Sequence, residues 1–220
     1  MMSPRYATSP LRLLIVDGQR LVAHALESLL RERVAVSAIA VATDWEQAAE
    51  VAAQLRPNVV LVDPFLPEAI RFQSIRNFAA AHPDARLVFL DGLFRPVILR
   101  VAIALDACGY WSKQASVEQI AEALPMAAAG IWTACPDAAG YVGRVRGRIR
   151  FRRPPEMSLL THREIEVLSL LAQGLSVKES AVRLRISPNT IDNHKSRLMK
   201  KLGLHRLSEV VLWATREGLG

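Results

Sequence analysis

The sequence predicts a two-part chain: a doubly wound α/β domain with a five-stranded parallel sheet, followed by a small all-α domain. Three observations carry that expectation. Five short apolar runs alternate with helical periodicity as far as residue 132, a Pro-, Gly- and Arg-rich stretch interrupts the pattern at 133–157, and three helical patterns with polar turns follow from 158. A chain of 220 residues with 51% hydrophobic and 22% charged residues can bury two small cores and is not disordered. No apolar run approaches the roughly 18 residues that would suggest a membrane span.

The strands are expected at LRLLIV from Leu11, VSAIAVA from Val36, NVVLV from Asn58, RLVFL from Arg86 and CGYWS from Cys108. These runs are short and mostly unalternating, as strands covered on both faces should be. Between them, apolar residues at three- and four-residue spacing predict helices over Gln19 to Arg33, Asp44 to Leu55, Leu66 to Ala81, Arg95 to Leu105 and Ser116 to Ala129. Strand and helix alternating in this order build a parallel sheet whose C-terminal strand ends share a crevice. LLIVDGQ delivers Asp17 to that edge, and the other ends bring Asp63, Asp91 and Lys113. One acid after a strand is commonly a helix cap or turn former. Three carboxylates and a lysine at one edge point to a site.

Charge is distributed unevenly. Residues 1–132 hold 12 Lys/Arg against 13 Asp/Glu, residues 133–157 hold 6 against 2, and residues 158–220 hold 10 against 6. A near-neutral front and a basic back suggest a regulatory module joined to one that meets a polyanion, most simply nucleic acid. Cys108 and Cys135 form no CxxC pair and are expected to be reduced and buried. The opening MMSPRYATSP, residues 1–10, reads as a tail without the apolar core of a signal peptide, so a cytoplasmic protein is expected.

The stretch from Thr133 to Met157 reads as a linker. Arg144, Arg146, Arg148, Arg150, Arg152 and Arg153 crowd into it, interleaved with Val145, Ile149 and Phe151. That alternation allows a short strand, but mutual repulsion and Pro154 and Pro155 favour an extended segment. Its arginines suit either a phosphate-contacting arm or a solvated spacer.

From Ser158 to Gly220 the helices are the clearest. Thr161 and Glu164 make a capping box before a helix from Arg163 to Ala172 whose stripe is Ile165, Leu168, Leu171 and Ala172. A second helix spans Val177 to Leu184, and Ser187 caps a third that opens with Pro188. A short helix, a tight turn and a longer basic helix describe a helix-turn-helix, which places its second helix in the DNA major groove. Ile191, His194, Leu198 and Leu202 should face the core, which makes His194 structural and turns Asn189, Asp192, Asn193, Ser196, Arg197 and Lys200 outward.

With these residues in place, the front segment resembles the receiver domain of bacterial response regulators. VVLVDPFLP sets Asp63 at the phosphoacceptor position with Pro67 four residues on, and GYWSK supplies the family's signal-relay aromatic at Tyr110 and its lysine at Lys113. The resemblance also implies a second acid after Asp17, to hold magnesium, and a Thr or Ser hydroxyl at position 91. Here the residues are Gly18 and Asp91, and PEAIR replaces a glycine-rich turn. Glycine offers magnesium no side-chain oxygen, and a carboxylate at 91 repels phosphate. The expectation is therefore an atypical receiver, with Lys113 paired to Asp63 or Asp91, no resident cofactor and a cognate histidine kinase in doubt. Conventional phosphorylation at Asp63 with magnesium is the alternative.

The rear segment is similar to the LuxR/NarL-type DNA-binding domain, carried by LTHREIEVL, GLSVKESA, ISPNTIDNH and KKLGL. The resemblance implies a four-helix domain dimeric on DNA, with a last helix from Leu207 to Glu217 in the dimer contact and apolar surface from Val210, Val211, Ala214 and Leu219. It puts Asp192, Asn193 and Ser196 in the groove and Lys178, Thr190 and Lys201 near phosphates. Many members carry lysine where this chain has Asp192, an acid that accepts from cytosine N4. The expected function is a homodimeric, sequence-specific transcription regulator binding double-stranded DNA. No nucleophile elbow, P-loop or dinucleotide fingerprint suggests an enzyme. A protein-interaction adaptor merely localised on DNA is the competing class.

Overall fold

A computed structural model describes residues 10–66, 71–145, 147–151 and 160–216. The chain divides into two compact units, one of residues Met1–Phe94 and Ile98–Arg153, the other of Arg95–Val97 and Pro154–Gly220.

The first unit is built on β1 (Leu11–Val16), β2 (Val36–Ala42), β3 (Val59–Val62), β4 (Arg86–Asp91) and β5 (Gly109–Ser112). Its helices are α1 (Arg20–Arg33), α2 (Trp45–Leu55), α3 (Arg71–Ala81), α4 (Pro96–Ala104) and α5 (Val117–Ala128). The β3 and β5 residues are all buried, as strands sandwiched between helix layers require, whereas the edge strand β2 is partly open. Asp44 caps α2 by accepting from the Gln47 N–H at 2.8 Å, and a Ser116/Gln119 capping box opens α5. Leu66, expected to open α3, is not helical. It precedes Pro67, and a residue before proline is sterically pushed out of the α region. Residues 67–70, most of the PEAIR segment, lie outside the described residues.

The sheet has six strands, not the expected five, in the order β2-β1-β3-β4-β5-β6, and every pairing is parallel. The addition is β6 (Thr133–Ala134), two residues too short to leave a pattern in sequence. It is held by Thr133 N–H to Cys108 O at 3.0 Å, Cys135 N–H to Tyr110 O at 3.0 Å, and the Trp111 indole N–H to Thr133 Oγ1 at 3.0 Å. Gly109 makes the fit possible, since a Cβ there would lie 2.8 Å from Thr133 Oγ1 and 3.1 Å from Val88 Cγ1. Both cysteines are free and buried, as expected.

Residues 133–151 are also not the extended linker anticipated. After β6 come a short helix α6 (Pro136–Tyr141) and an antiparallel hairpin, β7 (Val142–Val145) and β8 (Arg148–Phe151). Repulsion does not prevent it because the register sets Arg144 against Ile149, Arg150 against Gly143 and Arg148 against Val145. Like charges are never directly opposite, which is the arrangement that destabilises a pair of strands. Gly147, with φ +80°, takes the left-handed turn position that glycine adopts without steric cost. Arg146, Arg152, Arg153, Pro154 and Pro155 lie outside the described residues.

The second unit comprises α7 (His162–Ala172), α8 (Val177–Leu184), α9 (Pro188–Leu202) and α10 (Leu207–Arg216). The Thr161/Glu164 box and the Ser187 cap with Pro188 behind it form as the sequence indicates, and a second box, Ser176 with Glu179, opens α8. Residues 164–171 of α7 are all buried, so this helix is the centre on which the others pack. Gly203, with φ +66°, ends α9 in a left-handed cap. Among the described residues no helix is long and apolar enough to cross a membrane.

Candidate receiver pocket and nucleic-acid interface

The strand ends decide which of the four crevice residues meet. The registers Val16↔Val62↔Phe89↔Tyr110 bring equivalent positions of neighbouring strands side by side. Side chains alternate faces with a period of two, so Asp17 and Asp63, one step beyond Val16 and Val62, share a face. Lys113, three steps beyond Tyr110, falls on that face as well. Asp91, two steps beyond Phe89, falls on the other, with Tyr110.

Contacts follow this parity. Lys113 Nζ lies 2.6 Å from Asp17 Oδ2 and 2.7 Å from Asp63 Oδ2. The approach to Asp63 is a hydrogen bond, while that to Asp17 is too oblique for one and acts as an ion pair. The opposite oxygens are fixed by backbone donors two residues on, Gln19 N–H to Asp17 Oδ1 at 2.9 Å and Phe65 N–H to Asp63 Oδ1 at 2.7 Å. Burial pushes the Lys113 ammonium pKa down, but the pairing with Asp17 and Asp63 outweighs it and holds the group above its ordinary value. Pairing of Lys113 with Asp63 matches expectation; pairing with Asp91 does not occur. Asp91, with none of its surface exposed, instead accepts the Tyr110 O–H at 2.6 Å, and Phe94 packs edge-on to the Tyr110 ring at 5.9 Å.

This donor set does not fit magnesium, which demands six oxygens in near-octahedral array. Two carboxylates are present, each with one oxygen committed to a backbone N–H and the other facing an ammonium group, and Gly18 adds none. Among the described residues no group of three or more His, Cys, Asp or Glu gathers as a metal site.

In the second unit, α9 presents Asn189, Asn193, Ser196, Arg197 and Lys200 exposed, with Thr190 and Asp192 half-buried; Lys178 of α8 is exposed. Ile191 and Leu198 are buried beneath them. Thr190 Oγ1 is 2.7 Å from Ser187 Oγ, which ties it to the cap. Asp192 is salt-bridged to Lys195 one turn on, a pairing the i,i+3 spacing contained but the sequence reading missed. Burial, Arg163 and Arg197 push the His194 imidazole pKa down against the pull of Glu164 and Glu166, so it packs as a neutral ring.

Lys201 is not free for phosphate. Its ammonium donates to Glu164 Oε2 at 2.7 Å and Oε1 at 2.9 Å, and Glu164 is only 2% exposed. Burial pushes the Glu164 pKa up, but Lys201 and Thr161 outweigh it and hold the carboxyl below its usual range. The pair staples α9 to the start of α7. Arg163 makes a similar tie, donating to Glu166 Oε2 at 2.9 Å and to Leu184 O, an orphan carbonyl at the end of α8, at 2.9 Å. On α10, Val210 and Ala214 are fully buried within the unit and so are not spare surface; the exposed apolar residues are Leu207 and Leu212. Glu217 and Leu219 lie outside the described residues.

A parallel α/β unit with an acid-and-lysine crevice, followed by a helix-turn-helix unit, defines a DNA-binding regulator with a receiver-like front. Residues 158–214 match the family of bacterial regulatory proteins, luxR family. The transcriptional regulatory protein LnrK of Bacillus subtilis is 28% identical over 216 residues, 95% of this chain and 98% of that protein. RcsB from Salmonella enterica serovar Typhimurium, bound to promoter rprA with the phosphomimetic BeF3-, is similar in fold with a TM-score of 0.73 at 22% identity, covering 94% of this chain and 99% of that one. A structure of two RcsB dimers bound to two parallel DNAs has a TM-score of 0.58 at 22% identity over 94% and 98%. Residues 158–214 thus form a luxR-family regulatory domain, and over nearly its full length the chain is similar to a transcriptional regulatory protein.

Proposed function

We propose that this transcription regulator binds DNA as a homodimer and that its receiver-like domain works without conventional phosphoryl transfer. The observation that carries this reading is the Lys113 ammonium seated between Asp17 and Asp63, where a divalent cation would have to sit. Position 91, where the resembling family bonds the phosphoryl group with a hydroxyl, holds a carboxylate already tied to Tyr110. Input then comes from a partner protein, a small ligand or abundance, and the chain is no enzyme.

In this reading Asp192, Asn193 and Ser196 meet base edges, and Lys178, Thr190, Arg197 and Lys200 lie along phosphates. Leu207 and Leu212 on α10 supply apolar surface for a second copy. Promoter binding sets the place of work in the cytoplasm, where bacterial DNA lies.

One observation favours a second reading, phosphorylation at Asp63: its Oδ2 and Lys113 Nζ are 2.7 Å apart, the contact a phosphoacceptor and its lysine make. Incubation with a small phosphodonor and magnesium, followed by intact mass, separates the two. The proposal expects an unchanged mass; a phosphoryl increment lost in Asp63→Ala would sink it.

A further inference from the structure

The hairpin β7–β8 lies outside both sites, yet it is built with two unlike faces. Alternation along the strands puts Val142, Arg144, Ile149 and Phe151 on one face and Gly143, Val145, Arg148 and Arg150 on the other. The first face is seated through its apolar residues, Val142 being buried and Ile149 and Phe151 half-buried, while Arg144 on it is exposed. The second is open, with Arg148 and Arg150 exposed and Val145 57% exposed. Neither arginine has a carboxylate within salt-bridge distance among the described residues. Opposite Arg150 stands Gly143, which brings no side chain to that face.

Two like charges held two residues apart on one strand, without counter-ions of their own, are a poor solution for stability alone and a good one for a polyanion. The polyanion this chain meets is duplex DNA. Residues 152–159 tether the ribbon to the luxR-family unit, so DNA held by that unit is presented to the arginines at a raised effective concentration. We infer that the open face of this ribbon is a second DNA-contacting surface, in which Arg148 and Arg150 bind backbone phosphates of the duplex that the helix-turn-helix unit holds. The inference rests on the DNA-binding function of the chain and adds to it a contact made from the receiver-like unit. Because phosphates bear no base information, the contact adds affinity without sequence preference.

The test uses the full chain and its variants R148Q/R150Q, R148K/R150K and R144Q, with anisotropy titrations on two duplexes of unrelated sequence across 50 to 200 mM salt. Each phosphate contact contributes about 0.9 to the salt slope, so R148Q/R150Q is expected to be shallower by about 1.8 on both duplexes. Over that salt range it then loses about 12-fold less affinity than the unsubstituted chain. R148K/R150K, which retains the charges, and R144Q, which alters the seated face, are expected to keep the original slope. Equal slopes for R148Q/R150Q and the unsubstituted chain would overturn the inference, and equal losses in R144Q and the double variant would overturn the assignment to one face. Thermal melting of each variant separates a lost contact from a lost fold. Failure of the unsubstituted chain to bind either duplex would remove the DNA-binding reading itself, a result distinguishable from a silent ribbon.

Discussion

Among the described residues Lys113 and Lys201 are each tied to buried carboxylates, and the ties serve different ends. In the receiver-like unit Lys113 bridges Asp17 and Asp63 at the sheet's C-terminal edge; in the helical unit Lys201 grips Glu164 with both its oxygens. The chemistry is the same and the surroundings are not. Lys113 reaches from a strand end to two acids on neighbouring strands, each fixed by a backbone donor of its own. Lys201 closes a gap between two helices, and its partner is the residue whose carboxylate also accepts the Thr161 N–H at 2.6 Å. A buried ion pair is therefore not by itself a mark of a site. What distinguishes the first is the second acid.

Five substitutions would break or sharpen this contrast. Lys113→Met should have the largest effect, about 3 to 5 kcal/mol of unfolding stability in a denaturant titration, because two nearby carboxylates lose their common cation. Lys201→Ala should cost less, about 2 kcal/mol, since its ammonium end is partly in solvent, and should leave the salt slope of DNA binding nearly unchanged.

The Glu164 pair has its own pH signature. Its folded-state pKa lies below the unfolded one, so the stabilisation is present above the ordinary carboxylate range near pH 4.3 and is lost as pH falls through the lower folded value. Lys201→Ala should flatten that acid limb of the stability curve.

Asn193→Ala should relax discrimination at one or two base pairs by about 1 to 3 kcal/mol and spare binding to random DNA. Lys200→Ala should do the reverse, weakening all sequences alike and lowering the salt slope by about one. Identical profiles for the two would show that the wrong side of α9 has been turned to the groove. Smallest of all, Asp63→Ala should leave DNA affinity unchanged with or without phosphodonor, once melting confirms the fold.

How much of this was legible in the residues varies with the length of the signal. The five longer strands, their helices, and the caps at Asp44, Ser116, Thr161 and Ser187 are each written locally. The two-residue β6 is not, because what creates it is a side-chain bond from Trp111 and the absence of a Cβ at Gly109. The arginine hairpin escapes for a related reason: repulsion is counted along the chain, but its energy depends on a cross-strand register no local pattern states. Asp91 was correctly placed at a strand end, and its separation from Lys113 was already implied by parity. Counting two residues per repeat from Phe89 and Tyr110 turns it toward Tyr110. Lys201 shows the converse, a charged residue on a basic helix that looks available until the partner, 37 positions away, is seen.

The salt bridge between Asp192 and Lys195 has a consequence for how such a protein searches. An acidic side chain at a DNA surface would ordinarily be repelled by every phosphate it passes. Here the acid carries its own counterion, so in the proposed docking the pair would pass non-target phosphates as a near-neutral unit. Reading a cytosine amino group would exchange one donor for another at Asp192 and free Lys195 for the backbone, which would defer the cost of reading to the moment of recognition.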